Sequence, residues 1–215
     1  MLYLQQRPWL GKMDLRLRSF QKIKFWIIFS KINFNISIMK NIMAFGASSS
    51  LNSINKQFAK YSSDQIPSSK TNLLDLNDFE MPIFSIDKQK ASGIPDEAKN
   101  FKKYISNSDA IIISFAEHNG SYTSAFKNIL DWVSRIERIV WCGKPMLLLS
   151  ASDGERGAKL VLETAFNRIK RENTKTLYKF SLKNFHSTFD LEKGILDAQL
   201  NKVYRSVLED FIKVI

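Results

Sequence analysis

The chain has 215 residues, enough for one domain with a substantial core, and its 44% hydrophobic and 25% charged residues are ordinary for a globular protein. Its single cysteine, Cys142, excludes a disulfide framework and a multi-cysteine metal site, and with only His118 and His186 besides we expect no metal centre. These counts favour a reducing cytoplasm.

The net charge of +11 is unevenly distributed along the chain. Residues 1–38 hold seven Lys and Arg against Asp14 alone, a net of +6, and therefore more than half of the total. The remaining residues contain no basic run interleaved with aromatic residues. We therefore expect no nucleic-acid partner.

Residues 1–38 are predicted to lie outside the fold, because they show no sustained hydrophobic period. Their longest apolar run, Phe25–Phe29, is shorter than the roughly 20 residues of a membrane span and the roughly 7–15 of a signal h-region. Met39 stands directly before the first predicted strand, so we expect residues 39–215 to form the domain and residues 1–38 to be translated upstream sequence. A basic membrane-surface segment is the alternative.

From Met39 onward, short apolar runs alternate with amphipathic stretches, a pattern typical of a parallel sheet covered by helices. The predicted strands are Asn41–Gly46, Thr71–Leu76, Ala110–Ser114, Met146–Ser150 and Thr176–Leu182. The predicted helices are Ser53–Ser62, Ile94–Asn107, a stretch from Ala125 to Ile136, a stretch from Leu160 to Ile169, and Leu191–Ile212, while Glu80–Gly93 and Glu117–Tyr122 are predicted loops. Five strands with helical crossovers fit an α/β fold with a doubly wound sheet of order 2-1-3-4-5. Right-handed crossovers then bring the loops after strands one, three and four to one edge.

The loop after strand one, Gly46–Asn55, is rich in Ser and Asn and leads into a helix N-terminus, where free N–H groups and the helix dipole favour an anion. It contains neither a G-x-x-x-x-G-K-[ST] nor a G-x-G-x-x-G motif, so a phosphate monoester is the ligand that matches it best. The alternative is that Ser53 simply caps the helix.

The other two loops offer polar and small residues to a flat ligand. In the loop Glu117–Tyr122, Gly120 allows close approach of the backbone, and His118 and Tyr122 are expected to flank an aromatic ring. The alternative is a turn with Ser121 as the helix cap. The loop from Ser150 to Gly157 offers backbone donors to a ring edge, or forms a plain Asp-Gly turn.

Two consecutive motifs carry a resemblance to a known family. The run E-H-N-G-S-Y at Glu117–Tyr122 is followed by K-N-I-L-D-W at Lys127–Trp132, and G-K-P and S-A-S occur at Gly143–Pro145 and Ser150–Ser152. Over residues 39–180 the chain resembles the NADPH-dependent FMN reductases of the flavodoxin-like superfamily, which include azo-dye, quinone and chromate reductases. The resemblance implies a flavodoxin-like fold, FMN as cofactor, and NADPH or NADH as co-substrate.

The resemblance also implies which residues contact FMN. The phosphate would be held by Ser48, Ser53 and Asn55, and the isoalloxazine would be lined by Glu117, His118, Asn119, Gly120, Ser152, Asp153 and Gly154. Three positions depart from the family pattern. The phosphate-loop arginine is replaced by Ser50, the proline before Glu117 by Ala116, and the usual loop tyrosine by His118. Losing the arginine removes a charge-assisted contact worth about 1.5–3 kcal/mol, so we expect looser FMN binding.

The expected activity is ping-pong hydride transfer from NAD(P)H through flavin N5 to a small acceptor such as a quinone, an azo compound or free flavin. No catalytic side chain is required, which agrees with the lack of a nucleophile or acid–base dyad, and we expect Cys142 and His186 to be structural. The alternatives are a flavodoxin-like electron carrier and a non-catalytic FMN-binding protein. By the resemblance, the helix that carries Asp131, Trp132 and Arg135 joins a homodimer or homotetramer; surface pairing or core packing is the alternative role of these residues.

Overall fold

The computed structural model of the protein describes residues 39–173 and 176–215, and the predictions for residues 1–38 lie outside this range. The strands are β1 (Lys40–Ala47), β2 (Ser69–Leu74), β3 (Ala110–Phe115), β4 (Glu117–His118), β5 (Ser121–Tyr122), β6 (Met146–Ala151), β7 (Leu177–Leu182), β8 (Phe189–Asp190) and β9 (Gly194–Ile195). The helices are α1 (Ile54–Asp64), α2 (Ile86–Ser92), α3 (Asp96–Asn107), α4 (Ser124–Val133), α5 (Lys159–Lys170), α6 (Phe185–Thr188) and α7 (Ala198–Ile212), with a 3-10 turn at Leu76–Phe79.

Five strands form one parallel sheet in the order β2-β1-β3-β6-β7. Counting only these strands along the chain, the order is 2-1-3-4-5, and the predicted flavodoxin-like α/β fold is confirmed. In the register, Ala44 of β1 lies between Leu73 of β2 and Ile112 of β3. Every residue of β3 and β6 is buried, as expected for central strands covered on both faces.

The sheet separates two hydrophobic cores. Alternate residues of β3 contribute to opposite sides, with Ile111 and Ile113 in the core beneath α3, α4 and α5, and Ile112 in the core beneath α1 and α7. Because β1, β3 and β6 run parallel, the loops that follow them all emerge at the carboxyl edge of the sheet. The fold thereby places the three predicted loops side by side.

Three predicted segments differ from the structure. Residues 86–92, within a predicted loop, form α2. Its N-cap is Ser85, whose side chain accepts a hydrogen bond from the Lys88 N–H at 3.1 Å. The predicted loop Glu117–Tyr122 is an antiparallel hairpin of β4 and β5. The closing helix begins at Ala198 rather than at Leu191, because residues 189–195 form the β8–β9 hairpin.

Smaller differences concern caps and buried stripes. Ser53 caps α1 as proposed, whereas α4 is capped by Thr123 and not by Ser121. Leu160, which we expected in the buried stripe of α5, is 59% exposed, and Ile136 lies beyond the end of α4. In the described ranges, no helix combines the length and apolarity that crossing a membrane requires.

Candidate functional site

The three loops at the carboxyl edge of the sheet enclose a cleft of about 300 Å³. Seven of the ten predicted site residues line it, with contributions from each loop. They are Ser48, Ser53, Asn55, Glu117, His118, Ser152 and Asp153. Other cleft-lining residues that were not predicted from the sequence include Asn52, Ile54 and Ala151, whose only signal was their place in these loops.

The first loop presents hydroxyl and N–H groups to the cleft. The Ser53 Oγ accepts from the Lys56 N–H at 3.2 Å, and the Ser48 Oγ accepts from the Ser50 N–H at 3.1 Å. Both hydroxyls keep their own protons for donation. The N–H groups of Ile54 and Asn55, in the first turn of α1, form no hydrogen bond within the described ranges. Such unpaired donors at a helix N-terminus suit an anion.

The charge around this loop is balanced by the protein itself. Gly46–Asn55 contains no Lys or Arg, and the next residue, Lys56, forms an ion pair with Asp75 at the end of β2. The hydrogen bond from Lys56 lowers the pKa of the Asp75 carboxyl from its ordinary value. Because Lys56 is neutralised in this way, an anion in the cleft would depend on dipoles and hydroxyls rather than on a full positive charge.

Asn55, in the first turn of α1, is 2% exposed, and its carboxamide forms hydrogen bonds with residues of β3 and β6. Its Oδ1 accepts from the Ser114 Oγ at 2.7 Å and from the Ala151 N–H at 3.0 Å, while its Nδ2 donates to the Ala151 carbonyl at 3.1 Å. The structure therefore ties the helix after β1 to the ends of β3 and β6 through one side chain.

The β4–β5 hairpin turns through Asn119 and Gly120, whose φ angles are 51° and 75°. Two consecutive positive φ angles in a two-residue loop are characteristic of a type I′ turn, for which Asn-Gly is the preferred pair. The pair is therefore a sequence signal for this hairpin, although we predicted a loop here. A Cβ on Gly120 would lie 3.0 Å from Leu160 Cδ2, so the turn packs against α5. Neither turn residue lines the cleft, and their predicted contact with a flavin ring stays a prediction.

Glu117 stands at the base of this hairpin and caps α5. Its Oε2 accepts from the Val161 N–H at 3.0 Å, whereas the residue before the helix, Ala158, has φ = 56° and supplies no side-chain cap. A carboxylate at this position also interacts favourably with the helix dipole. Glu117 therefore fixes the hairpin relative to α5 while lining the cleft.

Tyr122 does not flank the cleft as we expected. Its ring contacts Phe115 and Phe126, with centroid distances of 5.9 and 5.2 Å, and burial raises the pKa of its hydroxyl to about 12. The side chain is part of the hydrophobic packing beneath the hairpin. Only His118, which is exposed, remains as an aromatic wall from this pair.

The third loop is held by the segment after β7. Asp153 Oδ2 lies 3.3 Å from His186 Nε2, and Asp153 Oδ1 accepts from the His186 N–H at 3.2 Å. Hydrogen bonds from Asn184 and Lys183 hold the pKa of the Glu155 carboxyl below its ordinary value. Gly154 belongs to this loop but does not line the cleft. His186, expected to be structural, orients a cleft-lining carboxylate, which no sequence signal indicated.

Comparison with known proteins identifies the family. The sequence pattern of the family described as NADPH-dependent FMN reductase matches residues 40–176, more than half of the chain. The chain belongs to this family. A 2-hydroxy-1,4-benzoquinone reductase of a Burkholderia species is 28% identical over 166 residues, covering 74% of the chain and 87% of the relative. An NAD(P)H-dependent FMN reductase of Pseudomonas aeruginosa is 34% identical over 77 residues, covering 36% of the chain and 41% of the relative.

Solved structures agree on the fold. FerB, a flavoenzyme NAD(P)H:(acceptor) oxidoreductase from Paracoccus denitrificans, is similar with a TM-score of 0.65 at 22% identity, covering 81% of this chain and 96% of that one. The apo form of EMOB, an NADH:FMN oxidoreductase, gives a TM-score of 0.63 at 17% identity, covering 81% and 89%. The chain therefore has the flavodoxin-like fold, and FMN and NAD(P)H are the cofactor and co-substrate of its family.

The family motif K-N-x-x-D-W has a structural explanation in this reductase. Asn128 Oδ1 accepts from the Phe84 N–H at 2.9 Å, and the Trp132 Nε1–H donates to the Pro82 carbonyl at 2.8 Å. Asp131 pairs with Lys127 along the helix. The motif thus holds the segment after the 3-10 turn against α4, next to the first loop.

Proposed function

We propose that this FMN reductase binds FMN in the cleft and passes electrons from NAD(P)H to a small acceptor. The observation that carries the proposal is that one cleft joins an end rich in hydrogen-bond donors, at the first loop, to a part lined by the hairpin and the third loop. The first loop supplies free N–H groups of Ile54 and Asn55 and two Ser hydroxyls, and the hairpin and third loop extend the cleft away from them. A phosphate monoester joined to a flat ring system matches that arrangement.

The residues fit the cofactor in the following way. Ser48, Ser53 and the N-terminus of α1 would hold the phosphate. Glu117, His118, Ser152 and Asp153 would line the ring, with Asn119, Gly120 and Gly154 supporting the loops. Gly46 allows the end of β1 to approach α1 closely, because a Cβ on this residue would lie 2.4 Å from the backbone nitrogen of Lys56. Bound FMN would supply the hydride chemistry between NAD(P)H and the acceptor in a ping-pong order.

The protein's own contribution is binding and orientation. No side chain in the cleft forms a nucleophile–base pair, and in the described ranges no group of His, Cys, Asp and Glu is arranged to hold a metal ion. We propose a quinone as the acceptor, because relatives named quinone reductases cover much of the same sequence, including the Burkholderia relative.

The experiment is to purify the protein, record the flavin absorption bands, and add NADPH without oxygen. Bleaching, followed by recovery on adding a benzoquinone, is the expected result. Bound flavin that NADPH does not bleach would favour the electron carrier, and absence of FMN binding in a titration would favour a protein that has lost the cofactor.

A matched pair of variants tests where the phosphate end lies. Ser48→Ala removes a cleft hydroxyl and should weaken FMN binding by about tenfold. Ser49→Ala changes the neighbouring residue, which does not line this cleft, and should leave the affinity unchanged. Equal effects of the two substitutions would contradict the proposed placement.

A further inference from the structure

The buried Asn55 carboxamide lies where the three loops of the cleft meet, and we propose that Asn55 is a positioning residue that locks these loops together rather than a ligand of the phosphate. The inference rests on the proposed function, because the loops matter here as walls of a flavin site. It replaces the phosphate-binding role that the family resemblance implied for this side chain.

The carboxamide acts as an extra stretch of strand. β3 ends at Phe115, which pairs with Ser150, so the next residue of β6, Ala151, has no neighbour on that side of the sheet. Asn55 takes this place, because its oxygen accepts from the Ala151 N–H and its amide donates to the Ala151 carbonyl. A neighbouring strand provides the same pair of groups. The third loop therefore leaves the sheet in a direction that Asn55 helps to fix.

The same oxygen also fixes the second loop. The Ser114 Oγ donates to it at 2.7 Å, and Ser114 is fully buried two residues before the hairpin loop begins at Ala116. Asn55 itself stands in the first turn of α1, directly after the first loop. One side chain thus connects all three walls.

The hydrogen-bonding capacity of Asn55 leaves little for a phosphate. A carboxamide oxygen has two lone pairs, and both are used by Ser114 and Ala151. The amide has two hydrogens, and one bonds to the Ala151 carbonyl. With the residue 2% exposed, its side chain is better matched to holding strand ends than to contacting a ligand in the cleft. Its backbone N–H stays available to an anion.

The first experiment compares FMN with riboflavin, which has the same ring system and no phosphate. If Asn55 positions the loops, Asn55→Ala should weaken the binding of both flavins, by about tenfold for riboflavin and at least as much for FMN, because every wall shifts. If Asn55 is a phosphate ligand, only FMN binding should weaken, and the inference is then wrong. Affinities are measured by flavin fluorescence well below the unfolding temperature of each variant. Wild-type protein that binds neither flavin would overturn the proposed function instead.

The second experiment uses the protein without flavin and so does not depend on riboflavin affinity. Hydrogen exchange should show the Ala151 amide of Asn55→Ala exchanging at least about tenfold faster than in the wild type, since it loses its acceptor. Unchanged exchange at Ala151 would overturn the inference.

Ser114→Ala provides a milder variant, should Asn55→Ala fail to fold. It removes one of the two donors to the Asn55 oxygen and should weaken the binding of both flavins by smaller factors than Asn55→Ala does. Where both proteins fold, adding Ser114→Ala to Asn55→Ala should have no further effect, because Ser114 acts on the loops only through its hydrogen bond to Asn55. An effect of Ser114→Ala on FMN alone, or full additivity, would contradict the locking role.

Discussion

Ser50 lies exposed at the edge of the cleft, at the position where the sequence resemblance implies an arginine. We expect Ser50→Arg to tighten FMN binding by about 1.5–3 kcal/mol, because a guanidinium would add a charge-assisted hydrogen bond to the phosphate. Titration of the flavin-free protein measures the change. Leu51→Arg is the matched control, since it adds the same charge one residue away on a side chain that is 85% exposed and outside the cleft. Equal gains from both variants would indicate only a general attraction.

Gly120 and Gly93 share a positive φ, at 75° and 74°, but differ in their surroundings. A Cβ on Gly93 meets nothing within 4 Å, whereas one on Gly120 meets Leu160. Both Gly→Ala substitutions should cost about 1–3 kcal/mol of stability for the backbone conformation, and the larger cost is expected at Gly93, whose ψ of −161° is nearly restricted to glycine. Only Gly120→Ala should also weaken FMN binding, because it moves the hairpin. Urea unfolding and flavin titration check the two effects, and an unchanged FMN affinity of Gly120→Ala would separate the turn from the site.

Which residues of the site could be predicted depends on how far apart their partners lie. The Ser residues of the first loop stand together in the sequence, so their common place at the cleft could be predicted from it. The contacts of Asn55 with Ala151 span 96 residues and those of Asp153 with His186 span 33. No local pattern encodes such pairs, and only the folded sheet brings them together.

Among the elements, helix α5 owes its N-terminal cap to another part of the chain. Removing the carboxylate by Glu117→Ala should destabilise the protein by about 1 kcal/mol. Glu117→Gln keeps an acceptor for the Val161 N–H and should lose only the helix-dipole contribution, about 0.3–1 kcal/mol. Urea unfolding measures both. The control is Glu163→Ala. Glu163 lies on the same helix and forms an exposed ion pair with Lys179 of β7, so its loss should change the stability by less than about 0.5 kcal/mol.

The Lys56–Asp75 pair connects the first turn of α1 to the end of β2. The pKa of Asp75 is lower in the folded state than its ordinary value of 3.8. The pair therefore stabilises the protein at pH values above this ordinary pKa, and the stabilisation is lost as the pH falls through the lower pKa of the folded state. Asp75→Asn should therefore be less stable than the wild type at pH 7 and should lose less on acidification to about pH 3. Unfolding midpoints between these pH values test this. Lys56→Met should reproduce the effect, and a steeper acid limb in either variant would contradict it.

The elements that were not predicted correctly lack a clear signal in the sequence. Helix α2 buries none of its residues, so it has no apolar stripe to reveal its period. The start of α7 was placed too early because Leu191 and Ile195 have helical spacing. They lie instead around the β8–β9 hairpin, where a Cβ on Gly194 would lie 2.1 Å from the Tyr61 hydroxyl oxygen. The five strands of the parallel sheet were predicted within two residues. For β1, β3 and β6, burial on both faces leaves continuous apolar runs in the sequence.

At the scale of the whole molecule, the parallel sheet accounts for the site. One strand order places three loops at one edge, and the predicted order was sufficient to predict which loops meet. What it could not give was the internal structure of each loop, which depends on side-chain bonds such as those of Glu117 and Asn55. The cytoplasmic location, the assembly into dimers or tetramers and the limits of the domain stay predictions.

The extent of the domain can be tested by truncation. The described residues from 39 to 215 form a five-stranded sheet, two hydrophobic cores and the cleft, and the family match begins at residue 40. A chain beginning at Met39 should therefore keep the far-UV circular dichroism expected for this fold, an unfolding free energy within about 0.5 kcal/mol of the full chain, and the same FMN affinity.

A chain beginning after Ala47 is the control. It lacks β1, which pairs with both β2 and β3, and should not fold. Loss of solubility or of FMN affinity in the Met39 chain would show that residues 1–38 belong to the domain.

Sedimentation with anionic vesicles then tests the basic segment itself. Binding by the full chain but not by the Met39 chain would support a membrane-surface role for residues 1–38, because their excess of Lys and Arg would be attracted to the anionic surface. Added salt should weaken this binding, because it screens the attraction.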